Sequence, residues 1–202
     1  MQGFQFLSLP DDLGAGCTTV TLRQLRDRTS ETSNLGTLNE YEVVYIAQQR
    51  APDGLIVSNS LGTRRPMHCS ALGKAMLAFL PTGEAERLMR GKPLTQHTFR
   101  TISDPQSLKS HLQMVRERGY AIDDEETFEG IRCVAAPIFD HTQQVIASMG
   151  ISGPSARLTS ERLYLLADIV VDVARQASAF LGARLPDSAR KEVEPLRSME
   201  PL

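Results

Sequence analysis

The chain lacks tryptophan and is poor in other aromatics, with seven Phe and four Tyr among 202 residues. Its core must therefore be largely aliphatic. It lacks an excess of charge of either sign: 22 Lys and Arg stand against 24 Asp and Glu, a net charge of −2. That excludes a chain that holds DNA through phosphate neutralisation alone. No apolar run approaches the roughly 18 residues that cross a bilayer. The N-terminal MQGFQFLSLPDD has neither the basic region nor the apolar length of a secretory signal. Cysteines number three, too few and too odd for a disulfide framework. Cys17, Cys69 and Cys133 show no C-x-x-C spacing, which argues against a structural zinc site. Together these absences point to a soluble protein of a reducing compartment, the cytoplasm, with no membrane partner.

What is present divides into three parts. Residues 1–20 form a leader without clean periodicity, residues 21–182 carry continuous patterning, and residues 183–202 read as a disordered tail rich in Pro and alternating charge. The patterned region opens with an amphipathic stretch, TLRQLRDRTSET. A hairpin follows in SNLGTLNEYEVVYIAQ, with its turn at Asn39-Glu40. Pro52-Asp53-Gly54 marks a turn, and LIVSN after it is a short strand.

Three helices are punctuated. SALGKAMLAFLP starts at Ser70 as N-cap, and TGEAERLMRG at Thr82 as cap. DPQSLKSHLQMVRERGY has Asp104 as cap, Pro105 at the first helical position and Gly119 as terminator. YAID, RCVAAPIFD and QVIASMGIS read as strands. The last two are apolar enough to be central, where Pro137 demands a bulge or an edge position. A final helix begins at Thr159 or Ser160, with Leu163, Leu166, Ile169, Val170, Val173 and Ala177 as its apolar stripe. Hairpins mixed with helices give an α+β fold, an antiparallel sheet with helices packed on it.

Few residues suggest chemistry. HCSALGK fails as a phosphate loop: its first required glycine is His68, and Ala75 follows Lys74. The small residues Ser70, Ala71 and Gly73 still open a helix whose first amides can receive an anion, though from this stretch alone an ordinary cap is the favoured explanation. Cys69 and Cys133, with His68, His97, His111 and His141 as bases, are the available nucleophile pairings. In extended chain, His68 and Cys69 would face opposite ways, and burial of both cysteines is favoured over catalysis. Asp123 to Glu126, DDEE, lacks calcium-loop spacing and reads mostly as a solvated loop. Asp123 ends a strand and is the exception that could enter a pocket. A mixed His68, Asp123 and Cys133 metal site is conceivable chemically, but nothing in the sequence brings the three together. The Arg23, Arg26, Arg28 group and the Arg64-Arg65 pair carry no DNA-reading pattern.

H-x-S-x-x-G-K-A at 68–75, R-G-Y-x-x-D-D-E-E at 118–126, G-x-R-C-x-A-A-P at 130–137 and S-G-P-x-x-R-x-T at 152–159 occur in this order. The combination resembles the C-terminal effector-binding domain of IclR-type bacterial transcriptional regulators, from about Leu22 to about Leu181. The resemblance implies a GAF-like or profilin-like fold, no catalysis and no cofactor. It implies a small organic or aromatic acid as effector, held by Val57, Ala71, Leu72, Asp123, Ile131, Cys133, Gly150 and Ser152. Gly150 and Leu72 make this pocket more apolar than in relatives with Ser and Ala-Gly types there, which favours an acid larger than glyoxylate. Asp123 would repel a carboxylate unless protonated or bonded to a ligand hydroxyl. Homodimers or homotetramers are implied. DNA binding is expected only through a winged helix-turn-helix missing from this chain. Two rival readings are a cysteine-dependent small-molecule enzyme and a ligand-free oligomerisation module.

Overall fold

A computed structural model of the chain describes residues 15–52, 61–81 and 83–184, with side chains from Thr19 onward. In chain order the elements are α1 (Ala15–Thr29), β1 (Thr32–Asn39), β2 (Glu42–Gln49), β3 (Arg64–Pro66), α2 (Ala71–Leu77), α3 (Glu84–Met89), α4 (Pro105–Arg118), β4 (Ala121–Asp124), β5 (Ile131–Phe139), β6 (Val145–Pro154) and α5 (Ser160–Phe180). The expected LIVSN strand and Thr82 lie outside the described residues. Six strands form one sheet in the order β3-β2-β1-β6-β5-β4, antiparallel at every pairing.

Alternation along the strands divides the interior in two. One face carries Leu35, Val134, Ile138, Met149 and Ile151. Against them pack Leu22 and Leu25 of α1 and Leu163, Val170 and Val173 of α5. The opposite face carries Val43, Tyr45 and Ala135, covered by Ala71, Leu72, Ala75 and Met76 of α2 and by Val115 of α4. Each such aliphatic side chain contributes about 1.5–3 kcal/mol on full burial. The result is a sheet between two helical layers, the α+β architecture expected.

Local chemistry sets the helix ends. Asp104 accepts from the Ser107 amide at 2.7 Å, and Gly119 takes the left-handed conformation that stops α4. Thr159 caps α5, accepting from the Arg162 amide at 3.3 Å. The cap of α3 is Gly83 at φ 87° rather than Thr82. The first helix begins at Ala15, earlier than its apolar period suggests. The hairpin turn falls at Glu40-Tyr41, one residue later than expected, with Glu40 at φ 57°. Pro137 sits in central β5 without a bulge of its own. Pairing with β4 ends at Ala121–Ala135, so beyond it β5 has β6 alone as neighbour.

The S-G-P-x-x-R-x-T stretch closes the sheet's helical layer onto β1. Glu31, with a fully buried carboxylate, accepts from Arg157 at 2.8 and 2.6 Å and faces Arg162 at 3.1 Å. Gly153 belongs to the same arrangement, because a Cβ there would stand 2.6 Å from Glu31 Oε2.

Candidate functional site

Two rungs of the sheet place the site. Thr32, Ser152, Cys133 and Asp123 lie side by side across β1, β6, β5 and β4, and Gln48, Asn34, Gly150, Ala135 and Ala121 form the next rung. Over them sits the start of α2. Ser70 caps that helix: its hydroxyl accepts from the Gly73 amide at 3.2 Å and donates to Pro66 O at 2.7 Å. Gly73 is needed for the approach, since a Cβ there would lie 2.5 Å from Met67 O, and Met67 Cα is closer still. Gly150 plays the same part below, with Ala135 Cβ 2.7 Å from where its own would be.

Between α2 and these rungs is a narrow hollow, with room for about one water molecule. Asn34, Tyr45, Ala71, Leu72, Cys133 and Ser152 line it, with Val134, Ala135, Gly150 and Ile151. Its polar edge is a relay: Gln48 Nε2 donates to Asn34 Oδ1 at 2.8 Å, and Asn34 Nδ2 donates to Ser152 Oγ at 3.0 Å. Ser152 therefore has its own proton to offer. Burial raises both the Tyr45 phenol and the Cys133 thiol, so each stays protonated at neutral pH.

Of the eight residues singled out in the sequence, five meet at this hollow: Ala71, Leu72, Cys133, Gly150 and Ser152. Val57 lies outside the described residues. Ile131 does not line it. Asp123 is buried on the correct rung but does not line it either. Its Oδ1 turns to the amides of Glu126 and Thr127, at 2.8 and 3.2 Å. Burial nevertheless raises its carboxyl, against the pull of Lys74 and these bonds. Sequence reasoning missed Asn34, Tyr45, Val134, Ala135 and Ile151. Tyr45 shares a strand face with Val43, so strand alternation was the available signal.

The acidic run is not a solvated loop. Asp124 receives Arg132 at 2.6 Å and Arg100 at 2.7 Å. Glu125 accepts from the Gly130 amide at 2.8 Å. Glu126 pairs with Lys74, whose side chain is wholly buried. Desolvation pushes Glu126 up to about 7, with Lys74 pulling it down. The G-K pair of the α2 motif thus serves close packing and a buried ion pair rather than a phosphate.

Neither thiol of the described residues is an activated nucleophile. Burial pushes Cys69 up to about 11 and Cys133 well above its ordinary value, the opposite of what attack requires. His68 and Cys69 occupy a turn rather than a strand, so they do not face opposite ways. Their donor atoms and one from His97 lie within 4.8 Å of one another. Among the described residues this is the single grouping of three metal-competent side chains, and the His68, Asp123 and Cys133 combination does not form.

A small, polar-edged hollow between an antiparallel sheet and a capped helix is the construction of a ligand-sensing α+β domain. The family model for the bacterial transcriptional regulator IclR C-terminal region matches residues 15–179. The chain belongs to the IclR family, as its effector-binding C-terminal domain. It is 38% identical over 163 residues to the HTH-type transcriptional regulator BhcR of Paracoccus denitrificans, covering 81% of this chain and 58% of BhcR. The C-terminal domain of the E. coli regulator KdgR superposes with a TM-score of 0.76 at 36% identity, over 85% of this chain and 99% of that one. The inducer-binding domain of a double mutant of PobR from Acinetobacter, in complex with 3-hydroxybenzoic acid, superposes with a TM-score of 0.74 at 25% identity, over 81% and 96%. The chain spans about three fifths of the length of the curated relatives it matches. Those relatives are transcriptional regulators rather than enzymes. Among the described residues no helix is long and apolar enough to cross a membrane.

Proposed function

We propose that this domain senses a small organic acid bearing a hydroxyl as well as a carboxylate, held between α2 and the sheet. The observation that carries this reading is the Gln48–Asn34–Ser152 relay ending in an otherwise apolar hollow. Ser152 and the neutral Tyr45 phenol are donors for an oxyanion. The first residues of α2, Ala71 and Leu72, wall the same space. Asn34 and the Cys133 thiol are polar neighbours for a hydroxyl. The 3-hydroxybenzoic acid bound by the PobR domain carries both groups. Asp123, occupied by two amides, takes no direct part.

Since the hollow has room for about one water, an acid of several heavy atoms must part α2 from the sheet. Leu72 is the flexible wall. That displacement is the signal, and it shifts subunit arrangement only as far as the acid's affinity differs between the two arrangements. In this reading the domain works in the bacterial cytoplasm within a homodimer or homotetramer, and DNA is contacted by a helix-turn-helix segment N-terminal to it.

The test is thermal denaturation against aliphatic and aromatic acids, each with and without a hydroxyl. A true effector at about 100 times its Kd adds about 2.7 kcal/mol. Hydroxy acids should stabilise most, and Ser152→Ala should blunt the gain. Unshifted melting across the whole panel would refute the proposal.

A further inference from the structure

We propose that His68, Cys69 and His97 form a binding site for a borderline-soft transition metal ion, Zn(II), outside the hollow. One donor atom from each lies within 4.8 Å of the other two. Tetrahedral Zn(II), with bonds of about 2.0–2.3 Å, holds its ligands roughly 3.3–3.6 Å apart. The group is therefore one small closure away from coordination. The side chain able to make that move is the His97 ring, which is exposed, whereas His68 and Cys69 are buried.

Three observations organise the group for metal. First, His68 Nε2 faces the Thr95 carbonyl at 3.1 Å. A carbonyl only accepts, so the proton sits on Nε2 and the lone pair on Nδ1. Metal-ligating histidines are oriented in this way, by giving the second ring N–H to a backbone carbonyl. Second, the Cys69 thiol reaches Pro66 O only at 3.9 Å, and the Thr127 side chain is its further partner. Third, the segment bearing His97 is pinned. Its amide donates to Thr101 Oγ1 at 3.0 Å, and Thr98 and Thr101 donate to the carbonyls of Glu125 and Glu126 at 2.7 and 2.6 Å.

Two imidazoles and one thiolate select Zn(II) or a softer ion over Mg(II) or Ca(II). On binding, the Cys69 proton passes to solvent, the sulfur bonds the metal, and the fourth position is left to water. Metal would then tie the turn before α2 to the 95–97 segment. The absence of C-x-x-C spacing gives no warning of this, because the third ligand comes from 28 residues downstream of Cys69.

Chelator-treated full chain should be titrated with Co(II), then with Zn(II). One equivalent of Co(II) should produce a thiolate charge-transfer band and tetrahedral visible bands, and Zn(II) should bleach both. Cys69→Ser should remove the charge-transfer band, and Cys133→Ser should keep it. His97→Ala, at an exposed side chain, leaves folding intact and should weaken affinity by about tenfold or more. If Cys69→Ser fails to fold, the His97→Ala titration decides alone. No thiolate band, a band surviving Cys69→Ser, or an unchanged affinity in His97→Ala would each overturn the proposal.

Discussion

Gly73→Ala sets two physical effects against each other. Gly73 lies in the first turn of a seven-residue helix. Helix propensity alone makes alanine more stable there by about 0.5–1 kcal/mol. Packing says the reverse. The new Cβ would stand 2.5 Å from Met67 O and 2.7 Å from Ser70 Oγ. The methionine atoms are backbone and cannot rotate aside, so the helix start must retreat by about 1 Å to restore ordinary contact. Overpacking of this kind costs about 1–3 kcal/mol. Displacing Ser70 from the Gly73 amide adds about 1 kcal/mol for the lost cap. The net expectation is a loss of about 1–3.5 kcal/mol, or roughly 2–14 °C in Tm for a domain of this size. Urea unfolding followed by far-UV circular dichroism measures it. A variant as stable as wild type, or more stable, would show that the close approach of α2 to residue 67 does not constrain position 73.

Lys74→Met removes the charge that lowers the Glu126 carboxyl, which then rises beyond about 7. The native variant keeps a proton that the unfolded chain releases near the ordinary 4.5, so its stability continues to fall with pH where wild type levels off. The urea midpoint gap between the two should therefore be wider at about pH 8.5 than at about pH 6, and a constant gap contradicts the buried pairing. Ser152→Ala should weaken effector binding about tenfold by calorimetry, the worth of one hydrogen bond, at a stability cost near 1 kcal/mol from the stranded Asn34 amide. Equal affinities for the two proteins would remove Ser152 from the site. Cys69 and Cys133 should alkylate slowly at neutral pH in metal-free protein, because burial holds both thiols protonated. Alkylation at the rate of an exposed cysteine would revive a catalytic role.

Elements whose information is local were legible in the sequence. Asp104, Pro105 and Gly119 mark both ends of α4 within its own residues, and Ser70 marks the start of α2, which ends at Leu77, short of the Pro81 stop that the sequence suggests. The hollow was legible only in part. Cys133, Gly150 and Ser152 followed from the family resemblance. Asn34 was missed because its place depends on a pairing with distant chain, opposite Gly150, whereas Tyr45, opposite Gly36 within its own hairpin, could have been found from strand alternation. The acidic run misled for a related reason. Four adjacent carboxyls look solvated when their partners, Lys74, Arg100, Arg132 and the Gly130 amide, are scattered along the chain. Asp123 was harder to place because a residue near a strand's end can face a cavity or fold back on the following turn, and here its carboxylate meets the amides of residues 126 and 127.

Neighbours in β1 point to opposite sides of the sheet. Asn34 belongs to the hollow, whereas Ser33 donates to Leu22 O of α1 at 2.7 Å. One peptide unit separates a group that would meet an effector from a group that grips the helix leading toward the chain's N-terminus. The floor of the hollow and the anchor of α1 are thus consecutive residues of a single strand.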